Sequence, residues 1–243
     1  MGFLDFLRRN RAELSDAIGE GRYANFSALN AGRFAATRAA ITEYATGRVL
    51  DVGCGHMPFR HFALRHVTAY EGFDVERRTD GVTHIGDAEA MTGLASDTYD
   101  SVFSFEVLEH LPHPQRAVGE MARVLKPGGV LLLTVPHLSR LHEEPHDYFR
   151  YTVHGLRTML HDAGLTAVRV EPIAGVLSFL GHQLSTVLLG LAWPVPLLRQ
   201  LVYGVNQALL VWPALWLDRL LDRRGLFAAG YVAVARKSGE RGT

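Results

Sequence analysis

The residues best able to do chemistry fall into two groups. In the first, RVLDVGCG (48–55) carries an apolar run to Asp51 and then sets Gly53 and Gly55 where backbone can approach a ligand closely. Asp74, near the end of GFDV, can accept two hydrogen bonds from the hydroxyls of a ribose. Asp87-Ala88, in GDAEAM, offers a carboxylate to an adenine amino group and a backbone N–H to a ring nitrogen. A glycine loop followed by two acids, each after an apolar run, suits a nucleoside-containing ligand, because ligands of open α/β sheets sit outside the carboxyl ends of the strands. A dinucleotide would require a third glycine in G-x-G-x-x-G. Pro58 stands at that position, after Met57, which counts against NAD or FAD. Met57 is expected at negative φ, with Pro58 in the first turn of the following helix.

The second group is PHLSRLHEEPHDYFRYT (136–152). A histidine titrates near neutral pH and can take a proton from an acceptor, which makes His146 and His142 the leading base candidates and His137 the third. Asp147 could orient an imidazole, and Tyr148 or Arg150 could hold a substrate. The plainer alternative is a structural loop with Asp147 and Arg150 paired and the histidines at the surface. Histidines and glutamates cluster here, but no pair shows a clear helical spacing with an assignable third ligand, so no metal site is assigned.

Both groups need a sheet to position them. Apolar runs at 48–52, 67–75, 82–89, 99–108 and 130–136 read as strands, the last so apolar that both its faces must be covered. Residues 109–129 read as an amphipathic helix with a Pro-Gly-Gly stop. Residues 152–164 read as a helix, 165–173 as a sixth strand and 229–237 as a seventh. Residues 11–45 look helical, with Gly19, Gly21 and Gly32 as breaks and Gly47 as a stop. The alternation implies a doubly wound α/β sheet.

A chain of 243 residues, 48% apolar, suits one such domain with decorations. Lys+Arg and Asp+Glu balance at 25 each, so no nucleic-acid partner is expected. The single cysteine, Cys54, excludes an internal disulfide and fits a reducing compartment. The first sixteen residues read as a short amphipathic helix and not as a secretion signal.

Five stretches in order, VLDVGCG, GFDV, GDAEAM, YDSVFSFEVLEHL and RVLKPGGVLLLTVP, resemble the class I S-adenosylmethionine-dependent methyltransferases of the type-11 kind. The resemblance implies a Rossmann-like, seven-stranded, doubly wound sheet with an antiparallel last strand, and S-adenosyl-L-methionine as cofactor. It implies that Asp51, Gly53 and Gly55 hold the methionine end, Asp74 the ribose, and Asp87 and Ala88 the adenine. Phe105 and Glu106 would line the sulfonium region, while Glu109 and His110 would serve packing and capping. The common pattern has glycine where Met57 stands, a departure that reads as subfamily variation. EPHDYFRYT is similar to a stretch in type-11 enzymes from saccharide and natural-product clusters.

Between Pro172 and Asp218 the only formally charged residue is Arg199. Polar residues recur at helical spacing at Ser178, His182, Gln183, Ser185 and Thr186, then at Arg199, Tyr203, Asn206 and Gln207, beside a very wide apolar face. Both ends must return to the sheet, so the segment should form a helical hairpin between strands six and seven, bent at Pro194 and Pro196. Its length also admits a membrane crossing. Otherwise three roles are open to it. It could be a lid for a hydrophobic acceptor, a membrane-surface contact with Arg219, Arg223 and Arg224 facing anionic headgroups, or a homodimer interface.

The resulting division is an N-terminal helical cap (1–45), a cofactor-binding core (46–172 with 229–238) and the apolar insert (173–228). The expected reaction is methylation of a hydroxyl or carboxyl oxygen on a hydrophobic or lipid-linked natural-product or glycoconjugate acceptor. Methylation of nitrogen or carbon in a secondary metabolite, or a non-catalytic membrane-associated module, are the alternatives. The expected location is cytoplasmic, peripheral at the inner face of the membrane.

Overall fold

Short apolar runs that end in turn residues build the sheet. The computed structural model describes residue 6, residues 25–222 and residues 225–239. The helix expected over the first sixteen residues, the breaks at Gly19 and Gly21, and Arg223 and Arg224 lie outside them.

Two compact units are present. One comprises Thr37–Glu171 together with the segment from Gly230 onward. It holds the strands β1 (Arg48–Val52), β2 (Ala69–Asp74), β3 (Val82–Ile85), β4 (Tyr99–Phe105), β5 (Leu125–Pro136), β6 (Leu165–Ile173, whose last two residues fall in the other unit) and β7 (Gly230–Lys237). The sheet order is β3-β2-β1-β4-β5-β7-β6, with β1 to β5 parallel and β7 antiparallel to β5. This is the expected Rossmann-like arrangement with flanking helices.

β5 lies between β4 and β7, and Val130 to Pro136 are all buried, as a central strand covered on both faces must be. The Lys126-Pro-Gly-Gly stretch, expected to stop a helix, belongs instead to the start of β5. There β4 and β5 shift register between Tyr99 and Ser101, and Gly128 takes up a φ of +79°. The helix itself, α3 (Pro114–Val124), is shorter than expected and turns Ala117, Val118, Met121 and Ala122 inward. Before it come α1 (Ala28–Tyr44) and α2 (Arg60–Ala63). After it, α4 (Val153–Asp162) starts at Thr152, whose hydroxyl accepts from Gly155 N–H at 3.1 Å, a conventional N-cap.

The second unit contains the described residues up to Ala36 and Pro172–Ala229. Helix α5 (Val176–Ala192) turns at Trp193–Val195 into α6 (Pro196–Asn206), which runs through a π-type segment (Gln207–Val211) into α7 (Trp212–Leu221). Pro213 lacks the N–H needed to continue the α-helical ladder, and a local widening is the usual accommodation.

The hairpin is inside out. Ser178, Ser185 and Asn206 are buried, while Leu197, Leu201, Leu209, Trp212 and Trp216 are each more than 60% exposed. The polar residues bind one another. Ser185 hydroxyl donates to Asn206 Oδ1 at 2.6 Å, Asn206 Nδ2 donates to the Phe26 carbonyl at 2.7 Å, and His182 Nδ1 meets Ser27 Oγ at 2.8 Å. Among the described residues, no helix is long and apolar enough to cross a membrane. The helix breaks at Trp193–Val195 and the π segment divide the apolar run, so the crossing that its length admitted is set aside.

Candidate cofactor and acceptor site

Strands β1 to β4 end side by side at Val52, Asp74, Ile85 and Phe105, and the loops that leave them carry the first set of candidates. Gly53 takes a φ of +70°, and its N–H and that of Cys54 both donate to the Phe73 carbonyl, at 2.8 and 3.2 Å. A Cβ on Gly53 would meet the Val107 side chain at 2.5 Å, so only glycine fits. Gly55, at φ +51°, differs, since a Cβ there would meet nothing within 4 Å. Its N–H donates to Asp74 Oδ2 at 2.8 Å.

Met57 is not at negative φ as expected but at +54°. Its side chain is buried and runs against Gly72 and Gly81, where added Cβ atoms would strike it. Nor does Pro58 begin the next helix, because α2 starts at Arg60 with Phe59 as its N-cap. The loop keeps its left-handed turn without the third glycine, since two other glycines make room for the side chain that replaced it.

Asp51 and Asp74 are both buried, at 4% and 7% exposure. Tyr70 hydroxyl donates to Asp51 Oδ2. Burial pushes the Asp51 carboxyl up to about 7, opposed by the Tyr70 hydrogen bond and helped by the nearby Asp74 charge. Burial and the same two carboxylates push the Cys54 thiol up to about 12, which keeps it a protonated, inert packing group.

Asp87 is exposed and accepts Glu89 N–H at 2.8 Å, while Ala88 beside it is buried. Phe105 packs edge-on against Phe59, ring centroids 5.2 Å apart. Glu106 follows at φ +56° with its N–H donating to the Thr134 carbonyl at 3.0 Å. The structure therefore brings Asp51, Gly53, Gly55, Asp74, Asp87, Ala88, Phe105 and Glu106 to the ends of adjacent parallel strands.

The second set leaves the end of β5. Arg150 donates to both carboxylate oxygens of Asp147, at 2.6 and 2.8 Å, and to the carbonyls of Ser139, Arg140 and Phe149. That guanidinium, first through its hydrogen bond, holds the Asp147 carboxyl well below its ordinary range. Asp147 Oδ2 also accepts His142 N–H at 2.9 Å. Arg150 thus fixes the loop, as the plainer alternative expected for this pair. His146 and Tyr148 are exposed, with His146 Nδ1 3.2 Å from the Tyr148 hydroxyl. His137 packs on the Tyr231 ring at a centroid distance of 5.7 Å.

His142 pairs with His110. Its ring stands edge-on to His110, centroids 4.8 Å apart, and its Nε2 lies 3.9 Å from Glu109 Oε1. Burial, then the His110 charge, lowers the His142 pKa. Glu109, on the 3₁₀ turn Leu108–His110, is fully buried. Sequence reasoning treated Glu109 and His110 as packing and capping residues. The spacing to His142 gave no signal, because the pairing depends on the loop after β5 folding back on the turn after β4, as Tyr148 N–H donating to the Glu109 carbonyl at 2.8 Å records.

Residues 6–170 match the family described as a methyltransferase domain. The chain is 33% identical over 109 residues to phthiotriol/phenolphthiotriol dimycocerosates methyltransferase 1 of Mycobacterium ulcerans, covering 40% of each chain. It is 24% identical over 166 residues to the ubiquinone biosynthesis O-methyltransferase of Parvibaculum lavamentivorans, covering 56% of this chain and 64% of that one. The chain therefore spans less than two thirds of the length of these relatives. Among solved structures, the 1,6-didemethyltoxoflavin-N1-methyltransferase of Burkholderia thailandensis, with S-adenosylhomocysteine bound, superposes with a TM-score of 0.53 at 14% identity. That match covers 98% of this chain and 91% of that one, a likeness of fold.

Proposed function

The chain belongs to the methyltransferase domain family as a class I S-adenosylmethionine-dependent enzyme, and from that premise we propose that it methylates an oxygen of a hydrophobic or lipid-linked acceptor. The observation that carries the oxygen reading is the loop after β5, which sets His146 and Tyr148 in the open on a support fixed by Asp147 and Arg150. An oxygen nucleophile has a proton to lose, and a positioned imidazole can take it.

In this reading Gly53, Gly55 and Asp51 hold the methionine end of the cofactor, Asp74 the ribose, Asp87 and Ala88 the adenine, with Phe105 and Glu106 alongside. Two features suit that group. The space beside Gly55 is open, and the second oxygen of the buried Asp74 carboxylate has only a long contact, 3.4 Å, to Glu76 N–H. When bound, S-adenosylmethionine supplies an electrophilic methyl group on a positively charged sulfonium. The protein's own part is to align the acceptor and exclude water. His146 receives the acceptor proton at Nε2, its Nδ1 being turned to Tyr148, while Tyr148 contacts the acceptor and Arg150 keeps the loop rigid. The names of the two curated relatives, one an O-methyltransferase of ubiquinone biosynthesis and the other acting on phthiotriol dimycocerosates, support the choice of acceptor.

The test is transfer of an isotopically labelled methyl group from S-adenosylmethionine to lipophilic phenols, hydroxy fatty acids and matched amines, read by mass spectrometry. Label on oxygen is expected, and label only on nitrogen or carbon overturns the reading. His146→Asn should lower turnover roughly 10²–10⁴-fold and leave cofactor affinity unchanged. Absence of any cofactor binding in calorimetry would instead favour a non-catalytic module.

A second reading concerns the helical unit, and the inside-out hairpin favours it. Exposed Trp212 and Trp216 with neighbouring leucines, followed in sequence by Arg219, Arg223 and Arg224, suit shallow contact with an anionic bilayer. Co-flotation with phosphatidylglycerol vesicles, lost on replacing both tryptophans by serine, is expected. If the chain ignores vesicles and its mass doubles with concentration in light scattering, the apolar face is a dimer interface instead.

A further inference from the structure

Glu109, His110 and His142 form a cluster that neither the cofactor loops nor the proposed base uses. Each offers one ligating atom, and the three atoms lie within 4.8 Å of one another. His110 Nε2 is 3.8 Å, and His142 Nε2 3.9 Å, from the same Glu109 oxygen. Neither separation is a hydrogen bond, whose donor–acceptor distance stays near 3 Å. Two ligands bound at roughly 2.0–2.2 Å to one ion stand about 3–4 Å apart, which is the spacing of each imidazole Nε2 from the Glu109 oxygen.

The other nitrogen of each imidazole settles which way the lone pairs point. His110 Nδ1 is 2.6 Å from the His146 carbonyl. A carbonyl can only accept, so Nδ1 carries the proton, and in the neutral imidazole Nε2 keeps its lone pair, facing Glu109. His142 Nδ1 lies 3.3 Å from the Arg140 carbonyl and 3.4 Å from the Asp147 carboxylate, with the same consequence. A carbonyl or carboxylate behind the ring is the usual outer support of a metal-bound histidine. Here Asp147 is itself held by Arg150. Two lone pairs and a buried carboxylate thus converge on one point, an arrangement that a cation would stabilise. His110 and His142 are partly exposed while Glu109 is buried, so one side of that point opens outward, toward Glu143, whose Oε2 is 3.8 Å from His110 Nε2.

We propose that Glu109, His110 and His142 bind one divalent transition-metal ion, zinc in the first instance, as a two-histidine, one-carboxylate site with an open side. Two histidines and a glutamate with a free position are an established zinc set, and the same donors suit iron(II). The inference goes beyond the methyl-transfer reading and does not depend on it.

The full chain, stripped with a chelator, is titrated with Co²⁺ and followed by its visible d–d absorption, and with Zn²⁺ in competition with a chromophoric chelator. The expected result is one ion per chain with micromolar or tighter affinity. His110→Asn and His142→Asn should each weaken binding at least tenfold, with an unchanged melting temperature of the metal-free protein. Asp147→Asn, which removes an outer support, should weaken it by about 10-fold or more. Glu109→Gln should abolish the cobalt spectrum. Because Glu109 is buried and that variant could fail to fold, the His110→Asn/His142→Asn double variant carries the decision. Metal binding that survives in the double variant places the ion on other histidines and overturns the proposal, as does the lack of stoichiometric binding in the wild type.

Discussion

Met57 and Gly72 are complementary. The end of the Met57 side chain occupies the place a side chain at position 72 would need, and a Cβ there would also meet Cys54 Sγ at 2.8 Å. The relationship explains how the loop tolerates a methionine at φ +54°. The left-handed conformation costs a non-glycine residue about 1–2 kcal/mol, whereas burying a methionine side chain is worth about 2–5 kcal/mol by truncation.

Met57→Gly should therefore destabilise the protein, by up to about 4 kcal/mol once the two effects are set against each other, although it restores the commoner residue. Gly72→Ala should cost about 1–3 kcal/mol through overpacking, and less in the Met57→Ala background, where the obstructing side chain is gone. Urea denaturation of the wild type and the four variants measures both, and additive costs of Met57→Ala and Gly72→Ala would refute the complementarity.

Asp51 should give the protein an inverted pH response. Its carboxyl sits at about 7 in the fold, against about 3.9 in an unfolded chain. Between those values the folded state retains a proton that the unfolded chain has released, so stability falls as pH rises. The contribution is at most about 1.4 kcal/mol per pH unit. Glu71, held down to about 2 against the cost of burial by Arg48, His84 and Tyr99, acts in the opposite sense, losing its contribution as pH falls below about 4.3. The slope between pH 5 and pH 7 should be smaller in Asp51→Asn than in wild type, measured by denaturation without cofactor. Identical slopes would mean that Asp51 is ionised throughout.

Asp74→Asn keeps an oxygen for the Gly55 N–H but removes the charge and one acceptor. A hydrogen bond to a charged group contributes about 1.5–3 kcal/mol, so S-adenosylmethionine should bind roughly 10- to 150-fold more weakly in calorimetry. An unchanged dissociation constant would remove Asp74 from the ribose site.

Asp218 accepts from the backbone N–H groups of Gly175, Leu177 and Ser178, at 2.9, 3.0 and 2.8 Å, and so caps α5 from a distance in sequence. Asp218→Ala leaves these donors unmet, two of them in buried bonds, and should cost about 2–4 kcal/mol. Hydrogen exchange localises the effect, with amides at the start of α5 expected to lose protection and those of β5 to keep theirs.

The parallel strands and the positions of Asp51, Asp74 and Asp87 were legible in the sequence because each depends on a local pattern, an apolar run closed by an acid. Met57 was not, because its φ is stabilised by packing against Gly72 and Gly81, far away in the chain. The register shift at Tyr99–Ser101 hid the start of β5, since Pro127 and two glycines resemble a helix stop until the partner strand is known. The burial of Ser178, Ser185 and Asn206 reverses what amphipathic spacing alone suggests. Spacing finds a stripe, but only partners such as Phe26 and Ser27 decide which side of it faces inward. Glu109, His110 and His142 come from two loops and share no periodicity at all.

The closure at Asp218 has a consequence for how such a protein can vary. Together with the bond from Ala229 N–H to the Ile173 carbonyl at 3.1 Å, it joins the beginning of the hairpin to its end, so the excursion leaves and rejoins the chain at nearly one point. Residues inside that neck can lengthen, shorten or change partner without altering the strand spacing on which Gly53, Asp74 and Asp87 depend, since enlarging a closed loop adds little entropic cost. The hairpin is in this sense a cassette. Exchange between related chains at Ile173 and Ala229, together with the Phe26–Ser27 segment that its polar residues bind, would transplant its apolar face as a unit and leave the glycine loop as it is.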